Sequence, residues 1–371
     1  VPYYYESYKR HGFKLTDFNK FDLEDLYKLP FLEKEDFRKY GKTTLLSRKK
    51  GKGSFISSSG STGTPTSTYY SNNFKQTWFA AYESRVRNWA GVNLNMNRGM
   101  IGGKQIINKP NALPPYYRFN NAEKQTYFSA YHISESTVRD YVSGIKNNKV
   151  EYMVGYALSN YFLADLIVKN KINVPQLKAV LTSSEKLTEE MREVFKKAYG
   201  CKTYDSYSGV EACGLISENS EGDFLWSPDT GIAEVIDDSG NISLEGELIS
   251  TGLLNFDQPL IRYRISDNIK ISKSQLTKSG SEMLKIDEVY GRVEDAIITK
   301  DGRKIISLYR LFLDIPNLKL AQVIQYTFEE FKINIVVDNS FNLNLIKNIK
   351  KRFHERIGYN INLKINLVSN I

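Results

Sequence analysis

The sequence predicts an α/β protein with a large N-terminal domain of mixed or parallel sheets and flanking helices, followed by a small C-terminal α+β domain. Between residues 127 and 207, strand-like apolar segments alternate with helical stretches of about a dozen residues, the order expected for βαβ units. From residue 231 the chain becomes rich in short strands and turns. Beyond residue 291 the order is strand, strand, helix, strand.

The length agrees with this division. At about 150 residues per domain, 371 residues suggest two domains, which we place at 1–291 and 292–371. A hydrophobic fraction of 41 % and a charged fraction of 25 % exclude wholesale disorder.

The N-terminal elements follow from spacing and turn formers. Residues 22–27 and 34–40 show the residue spacing of short helices. Pro30 begins the bend that leads into the helix at 34–40. Residues 51–68 contain too many Gly, Ser and Thr for a helix and too little apolar alternation for a strand, which predicts a loop. Trp78, Tyr82 and Trp89 recur at helical spacing within a predicted helix over 73–92.

The remaining elements come from the same patterns. Helices are predicted at 136–146, 158–170, 188–199 and 342–357. Strands are predicted at 100–107, 127–132, 151–154, 177–181, 203–207, 232–236, 247–250, 260–263, 320–327, 332–337 and 362–367.

Charge and composition exclude several classes of function. The net charge of +9 comes from basic residues that we interpret as mainly solvated surface, able to attract anions such as nucleotides. Neither a clustered patch nor a nucleic-acid-binding module is evident, so no nucleic-acid partner is expected. Two cysteines, Cys201 and Cys213, are too few for a disulfide framework. The three histidines form no His-Glu-x-x-His pattern, which argues against a zinc hydrolase.

No apolar run approaches the roughly 18 residues that a bilayer span requires, so no membrane span is expected. The start of the sequence, Val1-Pro2-Tyr3-Tyr4-Tyr5, is not a signal peptide. We therefore expect a cytoplasmic protein.

The strongest chemical signal is the segment Ser57-Ser58-Ser59-Gly60-Ser61-Thr62-Gly63-Thr64-Pro65-Thr66. Its glycines allow close approach of the backbone to a ligand, and its hydroxyls and N–H groups donate hydrogen bonds, which suits a polyphosphate. It is not a Walker A loop, because no Gly-Lys-Ser/Thr follows. The alternative is a flexible linker, which would seldom carry these residues in this order.

Four motifs in order resemble the adenylate-forming (acyl-CoA synthetase, or ANL) superfamily. The segment 57–66 resembles its phosphate-binding loop, and Tyr-Ser-Gly-Val-Glu at 207–211 resembles its Tyr-Gly-x-Thr/Ser-Glu motif. The third motif is the segment 246–252 together with 259–267, and the fourth is 291–295. Pro-Leu-Ile-Arg-Tyr-Arg at 259–264 is similar to the phenylacetate–CoA ligase branch and its CapK-type relatives of capsular-polysaccharide biosynthesis.

The resemblance implies that ATP and a carboxylic acid form an acyl-adenylate and pyrophosphate with Mg²⁺, after which a thiol such as coenzyme A takes the acyl group. Two alternatives stay open: acyl transfer to an amine or a sugar hydroxyl, and a catalytically impaired nucleotide-binding relative. The resemblance is also compatible with a homodimer, and a swing of the C-terminal domain about Gly291-Arg292 would separate the two steps.

The resemblance also implies a role for each motif residue. Tyr207 would stack on adenine, Asp267 would bind the ribose, and Glu211 would hold Mg²⁺ and act in catalysis. Ser184 and Glu185 would lie beside the adenine and acyl pockets. The implied phosphate-binding residues are Ser59, Gly60, Ser61, Thr62 and Gly63, with Thr62 catalytic, and Arg292 would be a catalytic contact to ribose or phosphate at the hinge.

Each residue taken alone has an ordinary alternative. Tyr207 fits a strand-end tyrosine, Asp267 a turn residue and Arg292 a surface cation. The pair Ser184-Glu185 fits a helix N-cap with Glu in the first turn equally well. His132 fits either the border of an acyl pocket or a structural histidine, and the second interpretation is favoured.

The chain departs from the family pattern in three places. Ser208 and Val210 replace a glycine and a hydroxyl residue, and Ser266 replaces the glycine before Asp267. The family's catalytic lysine, in a Gly-Lys segment near the C-terminus, has no counterpart before Ile371. Either a tail is missing or the lysine is absent, and the start at Val1 rather than Met favours a missing tail.

Overall fold

The computed structural model describes residues 1–58, 65–107, 112–290, 297–305, 308–312 and 315–369. Its helices are α1 Pro2–Arg10, α2 Lys34–Tyr40, α3 Asn72–Tyr82, α4 Val138–Asn147, α5 Ala157–Lys169, α6 Glu189–Tyr199 and α7 Leu345–Ile357. Short 3₁₀ or π turns cover Leu15–Lys20, Leu23–Lys28, Glu83–Arg87 and Leu308–Leu311.

The strands of the described ranges are β1 Gly53–Ser57, β2 Ser67–Ser71, β3 Arg98–Gly102, β4 Tyr117–Asn120, β5 Gln125–Ser129, β6 Tyr152–Tyr156, β7 Ala179–Ser183, β8 Lys202–Tyr207, β9 Ile216–Glu218, β10 Phe224–Trp226, β11 Gly231–Ile236, β12 Glu245–Gly252, β13 Tyr263–Ile271, β14 Ile286–Tyr290, β15 Ile297–Ile298, β16 Lys304–Ile305, β17 Leu318–Gln325, β18 Glu330–Val337 and β19 Asn362–Leu367.

The chain divides into two compact units. The first contains residues 1–58, 65–90 and 205–290, and the second contains 91–107, 112–204 and the described residues from 297 onward. The chain passes from the second unit to the first within β8. This division leaves the predicted domain boundary at residue 291 a prediction.

The first unit is built on an antiparallel sheet with strand order β11-β12-β13-β14. Its side chains Val235, Leu248 and Ile269 are buried in one apolar cluster with Trp226 of β10. The β1–β2 hairpin is antiparallel and pairs Phe55 with Tyr69. Burial of these side chains supplies the main favourable term that holds the sheet in the unit.

The N-terminal segment packs on the same unit through a second apolar core. Tyr4, Leu32 and Phe37 are buried with Leu260 and Tyr263. Leu32 also forms an isolated parallel bridge with Tyr263, so the extended chain after residue 29 lies beside the start of β13.

The second unit contains a mixed sheet in which β7, β6, β3 and β5 are parallel neighbours and β4 pairs antiparallel with β5. Gly155 has φ +128°, and a Cβ there would lie 1.9 Å from the carbonyl oxygen of Ile101. Only glycine permits that approach of two parallel strands. Helices α4, α5 and α6 bury their apolar residues in one core with these strands.

Helix α6 shows how local sequence sets its own bounds. The side chain of Thr188 accepts a hydrogen bond from the Met191 N–H at 3.3 Å, and Glu189 and Glu190 occupy the first turn. Gly200 ends the helix with φ +68°.

The C-terminal part of the second unit has a three-stranded sheet of order β17-β18-β19, in which β18 and β19 are parallel. Helix α7 packs on it, and Phe331, Ile333, Ile349 and Phe353 are among the buried residues of this core. This is the predicted strand-strand-helix-strand order, and it supports the α+β class expected for this region.

The predicted α/β class is confirmed, and most predicted elements are found within a few residues of their expected bounds. Several expectations were wrong or incomplete. Residues 51–68 were predicted to be a loop but include the strand β1. This strand lacks the apolar alternation of a half-buried strand because all five of its residues are exposed, and it forms by pairing with β2. The strand predicted at 260–263 begins at Tyr263 and continues to Ile271. The elements that were not predicted include α1, β2, β4, β9, β10, β14, β15 and β16. In the described part of the chain, no helix is long and apolar enough to cross a bilayer.

Candidate functional site

Glu211 is the centre of a buried polar cluster in the first unit. It lies in the loop between β8 and β9 and is 9 % exposed. Its Oε1 accepts hydrogen bonds from the Thr66 hydroxyl at 2.8 Å and from the Tyr263 hydroxyl at 3.3 Å. Among the described residues, Oε2 accepts no hydrogen bond, so one oxygen of the carboxylate is oriented and the other can serve a ligand.

The loop that carries Glu211 is itself fastened on both sides. The Tyr70 hydroxyl donates to the carbonyl oxygen of Val210 at 2.8 Å, and the Ser208 hydroxyl donates to that of Gly214 at 2.8 Å. Burial, followed by the neighbouring Glu211 carboxylate, raises the pKa of Tyr70, which keeps its phenol protonated as a donor.

Tyr207 and Asp267 form a second polar pair in the same unit. Tyr207 is the half-buried last residue of β8, and its hydroxyl donates to Oδ2 of Asp267 at 2.7 Å. Burial, with the Asp267 carboxylate as the next cause, raises the pKa of Tyr207 well above its usual value. Tyr207 is thus a strand-end residue, as its ordinary alternative predicted, while its hydroxyl orients the carboxylate of another motif.

Asp267 lies inside β13, so the alternative of a turn residue was wrong. The β12–β13 register changes from Glu247 opposite Asn268 to Ile249 opposite Arg264, which leaves extra residues on β13. Ser266 takes φ +69° in this bulge. A bulge turns the following side chain away from the regular pleat, and here that side chain belongs to Asp267.

Arg262 ties the N-terminal segment to the start of β13. Its Nε and Nη2 bind the two oxygens of Glu234 at 3.0 and 2.8 Å, and its Nη1 donates to the carbonyl oxygens of Tyr27 and Leu29. Its guanidinium also lies 4.3 Å from the ring centroid of Phe31. These contacts position the residue next to Tyr263, which donates to Glu211.

Ser184 and Glu185 lie in the second unit, after β7. Ser184 is exposed with φ +71°, and Oε2 of Glu185 accepts the Leu158 N–H at 2.8 Å, at the start of α5. The alternative that this pair caps the helix that follows was wrong, because Thr188 caps α6. Glu185 instead caps a helix that precedes it in the chain.

His132 is a buried residue of the second unit. Its ring stacks on Tyr116 with 5.0 Å between centroids, and its Nδ1 lies 2.7 Å from the hydroxyl oxygen of Ser129. These contacts agree with the structural interpretation of this histidine. Six predicted site residues lie outside the described residues: Ser59, Gly60, Ser61, Thr62, Gly63 and Arg292.

The C-terminal residues 297–371 match the family model described as the CapK C-terminal domain. Over 357 residues the chain is 26 % identical to Protein CapK of Staphylococcus aureus, covering 95 % of this chain and 78 % of that protein. It is 26 % identical over 323 residues to a phenylacetate-coenzyme A ligase of Pseudomonas putida, covering 81 % and 68 %. The chain is a distant relative of both within the adenylate-forming superfamily.

Solved structures agree with this membership at the level of the fold. A 2-hydroxyisobutyryl-CoA ligase in complex with 2-HIB-AMP and CoA covers 100 % of this chain and 83 % of its own, with a TM-score of 0.60 and 15 % identity. The same ligase in a postadenylation state gives a TM-score of 0.59 at 16 % identity. The likeness to this ligase is thus one of fold, and the alignment spans 99–100 % of the chain.

Two departures from the superfamily pattern now have a structural context. Ser266 occupies the left-handed conformation that glycine adopts most readily, so the substitution keeps the backbone shape at some cost in strain. Ser208 uses its hydroxyl to close its own loop on Gly214. The motif sequence is thus altered at residues 208 and 266. The Glu211 carboxylate nevertheless accepts hydrogen bonds from Thr66 and Tyr263, and Asp267 accepts one from Tyr207.

Sequence reasoning missed two members of the Glu211 cluster. Thr66 and Tyr263 both lie inside segments that the motif comparison singled out, but neither was assigned a role. Their hydrogen bonds cross 145 and 52 residues of chain, respectively. The one sequence signal for either role was a hydroxyl side chain within the motif segment.

Proposed function

We propose that this protein activates a carboxylic acid with ATP, forming an acyl-adenylate and pyrophosphate, and then transfers the acyl group to a thiol such as coenzyme A. The oriented Glu211 carboxylate carries the proposal, since it lies in the motif that resembles the family's nucleotide and metal site. The relationship to phenylacetate-coenzyme A ligases supports the same chemistry.

The chemistry requires positioning more than reactive side chains. A carboxylate must attack the α-phosphorus of an anionic nucleotide, so the main tasks are to align the two reactants and to offset their repulsion. Tyr207 would lie against adenine, and Asp267, aligned by the Tyr207 hydroxyl, would accept hydrogen bonds from the ribose. Ser59, Ser61, Thr62 and Gly63 would hold the phosphates, Gly60 would let the backbone approach them, and Arg292 would contact ribose or phosphate.

Glu211 fits a magnesium ligand. The described residues contain no group of three acidic, histidine or cysteine side chains suited to a metal. A single carboxylate is nevertheless a common protein ligand of Mg²⁺ at nucleotide sites, because phosphates and water supply the other ligands. When bound, Mg²⁺ would screen the charge on the phosphates, and Oε2 is the oxygen left for it while Oε1 stays held by Thr66 and Tyr263.

A second acceptor has its own support. The match of residues 297–371 to the CapK C-terminal domain, together with the similarity to CapK over 95 % of this chain, favours a CapK-like role. The alternative acceptor is then an amine or a sugar hydroxyl. We further propose that residues 292–371 form the mobile C-terminal domain and that Ser184 and Glu185 border the acyl pocket.

ATP–pyrophosphate exchange with a panel of aryl, fatty, amino and sugar acids tests the first step. We expect exchange that depends on one class of acid and falls at least about 100-fold in Glu211→Gln. The matched control is Glu282→Gln, an exposed residue of the same unit, which should retain wild-type exchange. Thioester formation in the presence of coenzyme A separates the thiol acceptor from the alternative.

A direct measurement of ATP binding tests the nucleotide site without requiring that the correct carboxylic acid be known. Calorimetric titration with ATP and Mg²⁺ should show binding that Asp267→Asn weakens about tenfold, whereas exposed Asp238→Asn should not. Absence of ATP binding to the folded wild-type chain would overturn the proposal. ATP binding without exchange for any acid would favour an impaired nucleotide-binding relative.

A further inference from the structure

A long stretch of the first unit carries positive charge only. Residues 37–82 contain no aspartate or glutamate but eight basic residues: Arg38, Lys39, Lys42, Arg48, Lys49, Lys50, Lys52 and Lys75. Five of them lie within residues 42–52, between α2 and β1, and all five are exposed. This local run is denser than the even spread of charge that composition suggested.

Ion pairing distinguishes this run from much of the remaining surface. Elsewhere on the surface lysines and arginines form ion pairs, such as Lys169 with Asp165 and Lys300 with Glu329. In the part of the chain that the structure describes, none of the five cations at 42–52 forms an ion pair with a carboxylate. Their charge is therefore available to an anionic partner.

Exposed apolar side chains accompany the charges. Phe55 is 38 % and Ile56 40 % exposed on β1, a strand with all five residues exposed. Phe256, in the turn before Pro259, is 80 % exposed, and Leu253 is 37 % exposed. A cluster of apolar side chains exposed to water is typical of a surface that binds a protein, a ligand or a membrane.

Hydrogen bonds hold the two segments side by side. The Gly51 N–H donates to Oδ1 of Asp257 at 2.7 Å, and the Ser47 N–H donates to the Asp257 carbonyl oxygen at 2.8 Å. The Gln258 side chain donates to the carbonyl oxygen of Gly41 at 2.7 Å. Phe256 and the basic run therefore share one surface, and Asp257, which joins the two segments, already accepts a hydrogen bond from a backbone donor.

We propose that this basic–aromatic surface (residues 42–56 and 253–256) binds the anionic headgroups of a lipid bilayer. Phosphate headgroups would match the unpaired cations, and Phe256 with its apolar neighbours would enter the boundary between headgroups and acyl chains. A nucleic acid would also meet the cations and could stack its bases on Phe55 and Phe256, but it would leave the aliphatic Leu253 and Ile56 without a partner. The combination of charge with aliphatic exposure therefore favours a membrane surface.

Vesicle sedimentation tests the proposal with the full chain. We expect binding to vesicles of phosphatidylcholine mixed with phosphatidylglycerol, no binding to phosphatidylcholine alone, and weaker binding at high salt. The triple variant K49E/K50E/K52E should bind about 100-fold more weakly or worse. Phe256→Ser should weaken binding about tenfold while leaving its salt dependence in place.

The matched control is K196E/K197E, which reverses two exposed charges on α6 in the other unit and should bind as wild type does. The proposal is overturned if the two vesicle types bind equally, or if the triple variant binds like the control. Competition by single-stranded RNA that exceeds binding to the mixed vesicles would also overturn it, in favour of a nucleic-acid surface. Each result is independent of adenylation activity.

Discussion

Arg262 and Glu234 form a two-point ion pair inside the first unit, with Nε and Nη2 of the arginine 3.0 and 2.8 Å from the two carboxylate oxygens. Their side chains are 6 % and 11 % exposed. The same guanidinium binds two carbonyl oxygens of the N-terminal segment. One buried cation thus joins three parts of the chain, and Glu234 supplies the charge that balances it.

Arg262→Met should lower the free energy of unfolding by about 3–5 kcal/mol, because it leaves the buried Glu234 carboxylate without its partner. Urea unfolding followed by circular dichroism measures the loss. Arg264→Met is the control, because its pair with Glu247 is more exposed and should contribute less than about 1 kcal/mol. Equal losses in the two variants would contradict the assignment of Arg262 as the anchor.

Tyr207→Phe should raise the KM for ATP about tenfold and leave the stability nearly unchanged, because the variant removes the hydroxyl that orients Asp267. Steady-state kinetics at varied ATP gives the KM. Tyr290→Phe is a matched control, since its hydroxyl donates to the exposed Glu245 in the same unit. An unchanged KM in Tyr207→Phe would show that Asp267 is oriented without it.

Ser266→Gly should increase the free energy of unfolding by about 1 kcal/mol, since glycine adopts φ +69° without the steric cost that a Cβ imposes. Thermal and urea unfolding both report the change. Ser266→Ala keeps the Cβ and should gain nothing. A gain of similar size in Ser266→Ala would assign the effect to the lost hydroxyl instead.

Both cysteines should resist thiol reagents in the folded protein. Burial raises the pKa of Cys201 to about 12 and, together with the Glu211 carboxylate, that of Cys213 to about 12. At pH 8 the reactive thiolate is therefore nearly absent. Ellman's reagent should titrate two thiols rapidly in guanidinium and react at least about 100-fold more slowly in native buffer. Fast native labelling of either cysteine would contradict its burial.

Asp223 should contribute to loss of stability in acid. Burial alone would raise its pKa, but the Lys278 N–H and the Lys285 ammonium outweigh that effect and hold the pKa below its usual value of 3.8. A depressed folded-state pKa contributes stability that is present above the unfolded value and lost as the pH falls through the folded one. Asp223→Asn should therefore be less stable at neutral pH and lose less on acidification below about pH 4. Parallel pH–stability curves for the two proteins would contradict this.

An element of this fold could be predicted from sequence where its signal was local. Helix α6 could be predicted because its cap, its acidic first turn and the closing glycine all lie within the helix or beside it. Strand β1 could not, since its five residues are exposed and it is defined by the pairing with β2. The bulge of β13 was equally hidden, because it depends on the register with β12.

The candidate site divides in the same way. Glu211, Tyr207 and Asp267 were named from their motifs, and the structure adds the partner that each one has in the first unit. One of the two interpretations left open for Glu185 placed it in the cap of the wrong helix, because the backbone N–H it binds, that of Leu158, lies 27 residues earlier. A cap formed across that distance leaves no trace in local spacing.

By itself, the sequence determined the α/β class, the order of most elements and the motifs that resemble the adenylate-forming enzymes, because periodicity, turn formers and short motifs are properties of neighbouring residues. Only the tertiary structure decided which hydroxyls hold the Glu211 carboxylate and where Arg262 is anchored. Those contacts join residues that are distant in the chain, and their geometry exists only after the strands have paired and the core has excluded water.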